Sequence, residues 1–512
     1  MLVITILAIL SAATGAVALA SSTGTLNEPP AVADQEQGMA SGAPFQDPPD
    51  AAVTSGPDGD PTVTLDAHDT AFDLAGKWAV GQSYNGSYVA PTIHFSPGAN
   101  VEVRLVNHLP VATDVHFHGL HIDPAAHSDD DFVCIAPGDT YTYRLAIPAG
   151  HPQGTYWYHS HAMATKCPGG VTGPTSGMAM PGDVENQIFA GLSGALIVGD
   201  DRTLLPAPYQ NVTTHTFVLK DVQIDSAGEI VQNTASTKID SDAPTIRLVN
   251  GQLRPVVAMR PDETQLWRLV NAGADIFYRL RLDGYTFTVV GEDGIPVARI
   301  AEADTLLLPP GKRYDVLVTA SSTPSSSWLR TTAYSNGSQG DQYPDTALAS
   351  LTVGGSAVDR LPVLTGAVQT APASLAGAPI AKQRTLDLSE SPDGLDFFLN
   401  GKQFDPGASI FPDPARLGTV EEWTILNESG EDHPFHLHTS SFQVMSVNDT
   451  PMPYTHMQDT VPVPHAAGGI PGKVVIRIPI ADYTGRWLFH CHIGAHEDNG
   501  MMSFLNVVSQ RG

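Results

Sequence analysis

The sequence predicts an all-β protein made of three consecutive, homologous β-sandwich or barrel domains, and three observations predict it. The chain has 512 residues with 47 Gly and 41 Pro, and it shows few long helical periodicities. That composition favours short strands and turns spread over several domains. A strand-like segment recurs, as "VEVRLVN" ending at Asn107, "QLWRLVN" at Asn271 and "EEWTILN" at Asn427, with separations of 164 and 156 residues. Each copy alternates apolar with polar residues, the period of a strand with one buried face. A second segment recurs behind the first: "YWYHSH" (Tyr156–His161), "WLRTTA" (Trp328–Ala333) and "WLFHCH" (Trp487–His492). The repeat length of about 150 residues is that of an ordinary domain.

In chain order, residues 1–20 form an apolar run ending Ala18-Leu19-Ala20, as in a signal peptide, although no Lys or Arg precedes Lys77. A short membrane anchor is the alternative. Residues 21–60, rich in Ala, Ser, Pro, Gly and Asp, read as a flexible leader. The first domain is expected over 61–200 and the second over 201–360. "LPVLTGAVQTAPASLAGAP" (361–379) is a linker, and the third domain spans 380–512. No later segment reaches the ~18 apolar residues that span a bilayer. The formal net charge of −28 argues against nucleic acid or an anionic membrane surface as partner. A secreted or cell-envelope protein, off the membrane after signal cleavage, is expected.

Histidine placement carries the chemistry. Nineteen histidines in this chain would give roughly 0.7 His-x-His pairs by chance. There are four: His116/His118, His159/His161, His436/His438 and His490/His492. The first and third stand nine and eleven residues after Asn107 and Asn427; Leu280 and Leu282 hold those places after Asn271. Residues i and i+2 of a strand face the same way, so each pair aims two imidazoles into one space. Eight imidazoles exceed the needs of a single zinc.

Cys491 lies between His490 and His492, so its sulfur points to the opposite face. His433 differs in parity from His436 and His438 and also points away from them. His496 and Met501 follow shortly after. A thiolate, two imidazoles and a weak thioether form the ligand set of a blue-copper electron-transfer centre. Met502 competes with Met501, but adjacent strand residues face apart.

"HFHG" (His116–Gly119), "WYHSH" (Trp157–His161), "HPFHLH" (His433–His438) and "HCHIGAHEDNGM" (His490–Met501) resemble the four copper motifs of the three-domain multicopper oxidases, which include laccases, bilirubin oxidases and copper-efflux oxidases. The similarity extends to "GLSGALIV" (Gly191–Val198), "LVNGQ" (Leu248–Gln252), "PPGKRYDVLV" (Pro309–Val318) and "QDTVPVP" (Gln458–Pro464). The resemblance implies three cupredoxin-like Greek-key domains and four copper ions. It places a type 1 copper on His433, Cys491, His496 and Met501, and a type 2 copper on His116 and His436. Two type 3 coppers fall to His118, His159, His161, His438, His490 and His492. Ser160 stands where Cys491 stands in the third repeat, so the first domain should hold no type 1 copper. The implied reaction is one-electron oxidation of a small aromatic donor, a phenol or aromatic amine, coupled to four-electron reduction of dioxygen to water. A metallo-oxidase taking reduced metal ions, Cu(I) or Fe(II), is the alternative. An electron-carrying cupredoxin array has no use for eight cluster imidazoles.

Two carboxylates are candidates for supplying protons. Glu497 follows the ligand His496 in "HEDNG", and Asp129 lies in "AHSDDDF" after the first motif, with Asp130 and Asp131 beside it. Partial burial is expected to raise the pKa of Glu497 and suit it to general-acid work. His121 is expected at the surface or behind the ligands. The stretch 162–190 reads as a mobile loop carrying Met163, Met178 and Met180. The two spare cysteines, Cys134 and Cys167, are expected to form a disulfide in a secreted protein.

Overall fold

A computed structural model describes residues 39–510 except 41, 57–58, 165, 168–172, 175–181, 235–237, 243–244 and 369. The expected signal peptide, most of the leader, and Met178 and Met180 lie outside the described residues.

The chain is all-β and forms three successive pairs of sheets. In the first, Val53–Ser55, Pro61–Leu74, Asn100–Asn107 and Thr140–Ala146 lie side by side, with Lys77–Tyr84 paired to Pro61–Leu74. They face a smaller sheet of Ala90–Phe95, Ser193–Val198 and Gly154–His159 across a core that includes Leu65, Val103, Ile93 and Leu196. The second and third pairs share one plan, a six-stranded sheet against a five-stranded one. Trp267 and Val316 meet Leu280 and Leu351 in the second, and Trp423 and Ile476 meet Phe435 and Leu505 in the third.

The recurring asparagine explains the recurring segment. Asn107, Asn271 and Asn427 are fully buried at the ends of Asn100–Asn107, Thr264–Asn271 and Thr419–Asn427. Each side-chain oxygen accepts from the backbone N–H two residues on: Leu109 at 2.9 Å, Gly273 at 3.1 Å and Ser429 at 3.0 Å. Each Nδ2 donates to two carbonyls: Val111 and Ile135, Ile276 and Leu308, or Glu431 and Val463. The amide thus satisfies turn groups that burial would otherwise strand.

The middle copy departs from simple alternation. Outer strands Asn100–Asn107 and Thr419–Asn427 alternate in burial, but every residue of Thr264–Asn271 is buried. Its second face is covered by neighbours: Leu266 packs with Leu204 and Val212, Val270 with Phe189 and Val218, and Arg268 pairs with Asp201 and Asp315.

Two expectations need correction, and the linker is held more firmly than its composition suggests. The described part of the 21–60 leader is a strap rather than a loose tail. Phe45 N–H donates to Val256 O (2.9 Å), the Phe45 ring lies 4.5 Å from that of Phe217, and Val53–Ser55 adds a strand to the first sheet. Its attachments are mostly backbone hydrogen bonds, which a Pro- and Ala-rich composition does not announce. The stretch 162–190 ends in a helix, Val184–Ala190, whose first N–H groups are capped by Asp498 of the third sheet pair (Oδ1 to Val184 N and Oδ2 to Glu185 N, both 3.0 Å). Segment 361–379 has no regular structure among its described residues, yet Leu364 and Val368 pack against Leu266 and Leu317 and hold it to the middle sheets.

Cys134 and Cys167, 33 residues apart, are disulfide-bonded, and Cys491 is free. Closing a loop of this size should stabilise the protein by about 3–4 kcal/mol in the chain-entropy account. Thiol titration of the denatured, unreduced protein should therefore find one sulfhydryl, and Cys167→Ser should lower the unfolding free energy by that amount. Three titratable thiols would contradict the bridge.

Candidate metal centres

The paired histidines sit where strands stop. His159 is the last residue of Gly154–His159, with His161 just beyond; His436 lies in His433–Leu437 and His490 in Gly485–Cys491, with His438 and His492 just past their ends. His116 makes a backbone bridge to His159, but His118 is already in a turn. The expectation of both rings on one regular strand is corrected accordingly. Ending the strand within the pair lets the second ring swing into the space between the first and third sheet pairs.

There the eight rings converge, none more than 2 % exposed. One ring nitrogen each from His118, His159 and His492 lies within 4.8 Å of the other two, as do nitrogens of His161, His438 and His490, and of His116, His118 and His436. His438 Nε2 is 3.0 Å from His490 Nε2, and His118 Nδ1 is 3.2 Å from His492 Nε2. His116 stacks on His438 (centroids 3.9 Å) and His118 on His436 (3.8 Å).

Outer contacts occupy one nitrogen of several rings and leave the other for the centre. His159 Nδ1 and His490 Nδ1 each sit 2.9 Å from the next residue's carbonyl, of Ser160 and Cys491. His436 Nδ1 is 2.9 Å from Asp459 O. His116 Nε2, His159 Nε2 and His436 Nε2 are buried with no hydrogen-bond partner. Burial drives the pKa values of His118, His159, His438 and His492 well below 6.5, and that of His436 down to about 4. His116 aside, these are neutral imidazoles whose converging lone pairs fit transition metals, which need deprotonated ligands.

Cys491 opens a second site on the other strand face. Its Sγ is 3.5 Å from His433 Nδ1 and 3.6 Å from His496 Nδ1, and those two nitrogens are 3.2 Å apart. All three residues are buried, and burial lowers the His433 pKa to about 3. His496 is carried by the short helix Gly494–Asp498, and Phe397 stacks on its ring at 4.0 Å. Met501 is fully buried in the cluster that contains Cys491, whereas Met502 packs with Phe132, Leu488 and Phe504. That division favours Met501 as the thioether partner. In the first domain Ser160 stands at the cysteine's position and donates to Gln187 Oε1 (2.6 Å).

The acidic candidates are close to the rings. Asp129 Oδ1 is 3.2 Å from His116 Nδ1 and accepts from Phe117 N–H (3.0 Å). Burial opposes charging His116, but Asp129 and Asp131 outweigh it and raise its pKa to about 10. Glu497 lies with Oε1 3.0 Å from His161 Nε2 and Oε2 3.0 Å from His490 Nδ1; neither contact has hydrogen-bond alignment, so both oxygens are buried without a partner. Its expected raised pKa is corrected: burial does push it up, but His161 and His490 more than offset that and hold it below the usual value. Asp130 is partly buried and accepts from Phe132 N–H (3.2 Å), with burial raising it to about 6. His121 lies outside the cluster, 2.6 Å from Thr439 O and 2.9 Å from Asp482.

Asp131, named beside Asp129 in the sequence, and three residues that were not candidates also contact these histidines. Asp131 bridges two rings, Oδ2 to His438 Nδ1 (2.9 Å) and Oδ1 to His116 Nδ1 (3.1 Å). Asp114 Oδ1 accepts from His161 N–H (2.6 Å). Asp459 lies 3.3 Å from His118 Nε2. Glu431 Oε1 lies 3.2 Å from the outer nitrogen of His496, and burial together with Glu390 raises its pKa to about 9. Asp114 and Glu431 adjoin the histidine motifs, and Asp459 lies in the quoted stretch Gln458–Pro464, but no spacing rule gives any of the three its role.

Comparison with known proteins agrees with this geometry. Multicopper oxidase family models match residues 68–176, 213–356 and 378–511. The chain is 28 % identical to multicopper oxidase MmcO of Mycobacterium tuberculosis, covering 87 % of each chain. It is 27 % identical to a laccase of Bacillus subtilis, covering 83 % of this chain and 89 % of that one. A solved structure titled as a metallo-oxidase from Campylobacter jejuni superposes with a TM-score of 0.74 at 24 % identity, covering 93 % of this chain and 97 % of that one. The all-β fold predicted from the repeats, and its cupredoxin-like form implied by the resemblance, agree with these structures. With family models spanning all three sheet pairs, the chain belongs to the multicopper oxidases and is a copper-dependent oxidoreductase.

Proposed function

We propose that the protein is a laccase-type oxidase that takes single electrons from phenols or aromatic amines and passes them to dioxygen. The type 1 copper is assigned to His433, Cys491, His496 and Met501, and the type 2 copper to His116 and His436. The paired type 3 coppers are assigned to His118, His159, His161, His438, His490 and His492. One observation carries this: Cys491 Sγ meets two imidazole Nδ1 atoms on one face of a strand whose neighbours His490 and His492 join the ring cluster on the other. Copper supplies the one-electron chemistry and the reduction of dioxygen to water. The proposal includes domains over 61–200, 201–360 and 380–512 and an extracytoplasmic location, which the Cys134–Cys167 disulfide supports.

The protein's own groups divide the remaining work. Cys491 binds on the donor side, and its backbone is the shortest covalent link to the cluster ligands His490 and His492. Asp129 and Asp131 hold the Nδ1 edge of His116, and Asp131 also holds His438, which fixes both rings. Glu497, wedged between His161 and His490, is assigned to proton relay: it takes a proton on a buried carboxylate oxygen and releases it toward oxygen being reduced.

The donor side carries an observation favouring a second reading. Glu431 is pressed against Glu390 at the outer edge of His496, with Asp341 and Asp432 nearby. Two carboxylates crowded together suit a hard divalent cation such as Fe(II) better than the softer Cu(I).

Cys491→Ser should abolish the intense visible absorption and the oxidase activity while the ring-cluster coppers stay bound, since serine supplies no soft thiolate. Visible and copper analysis check this, and a variant that stayed blue would refute the assignment. Glu497→Gln should retain copper and colour and bleach normally with donor, but reoxidise about 10²-fold more slowly in stopped flow, the scale of a lost proton-transfer group. Reoxidation at the parent rate would move the relay to Asp129 or Asp131. Glu431→Gln should leave kcat/KM for a phenol and an azine dye within about twofold under the aromatic-donor proposal. A selective fall of about tenfold or more for Fe(II), the scale of a lost metal-holding group, would instead establish the metal-ion reading.

A further inference from the structure

The middle domain carries none of the clustered histidines, yet one of its turns touches them. In "PPGKRYDVLV" the chain leaves strand Leu306–Leu308, turns at Gly311 with φ of 84°, and enters strand Arg313–Thr319. A Cβ on Gly311 would stand 2.9 Å from His492 Cδ2 and 3.0 Å from His118 Cε1. The bare backbone of this glycine is therefore part of the wall around the rings.

Arg313, two residues on, is fully buried. Its Nη1 and Nη2 donate to both carboxylate oxygens of Asp459 (2.8 and 2.7 Å), a residue of the third domain. Its Nε donates to Thr155 O of the first domain (3.3 Å), and Nη1 also donates to Gly311 O (3.0 Å). One side chain thus ties three domains together. Gly119 of the first histidine motif belongs to the same contact, because a Cβ there would overlap Arg313 Nη2 and Asp459 Oδ2. The middle domain's Asp293 also accepts from the backbone N–H groups of Asp459 (3.1 Å) and Thr460 (3.2 Å).

Asp459 works on two rings with two different atoms. Its carboxylate Oδ1 faces His118 Nε2 at 3.3 Å, and its backbone carbonyl faces His436 Nδ1 at 2.9 Å. Each acceptor calls for an N–H opposite it, which leaves Nδ1 of His118 and Nε2 of His436 as the free lone pairs. Those are the nitrogens that face the centre: His118 Nδ1 lies 3.2 Å from His492 Nε2, and His436 Nε2 has no hydrogen-bond partner. A single residue therefore selects opposite tautomers in rings from two domains. Its carboxylate is fully enclosed and holds its orientation through the paired donors of the guanidinium.

We infer that Arg313 is a positioning residue for the oxygen-reducing centre, acting through Asp459 on His118 and His436, so that the histidine-free domain is a working part of that centre. The inference rests on the copper assignment above. Its test compares full-length, copper-loaded wild type with Arg313→Met, Arg313→Lys and Asp459→Asn, reading copper per chain, the paramagnetic type 2 signal, the blue band and the two half-reactions. Arg313→Met and Asp459→Asn should keep the blue band and the rate of reduction by donor. They should lose type 2 copper or change its signal, and reoxidise about 10–100-fold more slowly, the usual cost of removing a group behind a metal ligand. Arg313→Lys, which keeps the charge without the parallel donors, should fall between. If Arg313→Met does not fold, Asp459→Asn, which keeps the shape, decides on the same readouts. Wild-type copper content, type 2 signal and reoxidation in the folded variants overturn the inference and leave the copper assignment standing. A wild type that binds no copper overturns both.

Discussion

Three buried asparagines hold the frame on which the site is built. Each closes the turn after a central strand with one accepted and two donated hydrogen bonds. In the outer domains that turn leads directly into the ligand motifs, toward His116 and toward His433. In the middle domain Asn271 also grips Leu308 O, immediately before the turn that carries Gly311 and Arg313. A buried amide with all its groups satisfied is rigid, because breaking it strands several polar groups at once. The same device therefore delivers histidines in two domains and an arginine in the third.

The centre concentrates buried polar groups that a core normally keeps apart. Buried polar atoms without a hydrogen-bond partner gather here: His116 Nε2, His159 Nε2, His436 Nε2 and both Glu497 oxygens are among them. Such departures gather at sites where function outweighs local stability. The cores around them, with Trp267, Trp423 and Trp487 fully enclosed, supply the packing that keeps this unfavourable arrangement in place.

What could be read from the sequence was what local periodicity encodes. Strand parity separated Cys491 and His433 from the paired rings, and the repeats separated a histidine-free domain from two that carry ligands. Glu497 was visible because it adjoins a ligand. Its pKa direction was not, since that depends on His161 from another domain. Asp131 meets His438 across 307 residues and Arg313 meets Asp459 across 146, and no spacing rule joins such pairs. The strap around Phe45 was hidden for a related reason: main-chain bonds hold it, and every residue type has those.

His118 and His492 are 374 residues apart in the chain, and the helix at Val184 begins on the carboxylate of Asp498. During synthesis the first domain can fold while later ones are still being made. Its four rings then line an open half-site, and its helix lacks a cap, until the segment around 490–498 emerges and docks. Assembly of the complete ring cluster thus waits for that segment. Since a ligand that binds only the native state stabilises that state, a metal held by rings of both domains would act as a latch on finished molecules.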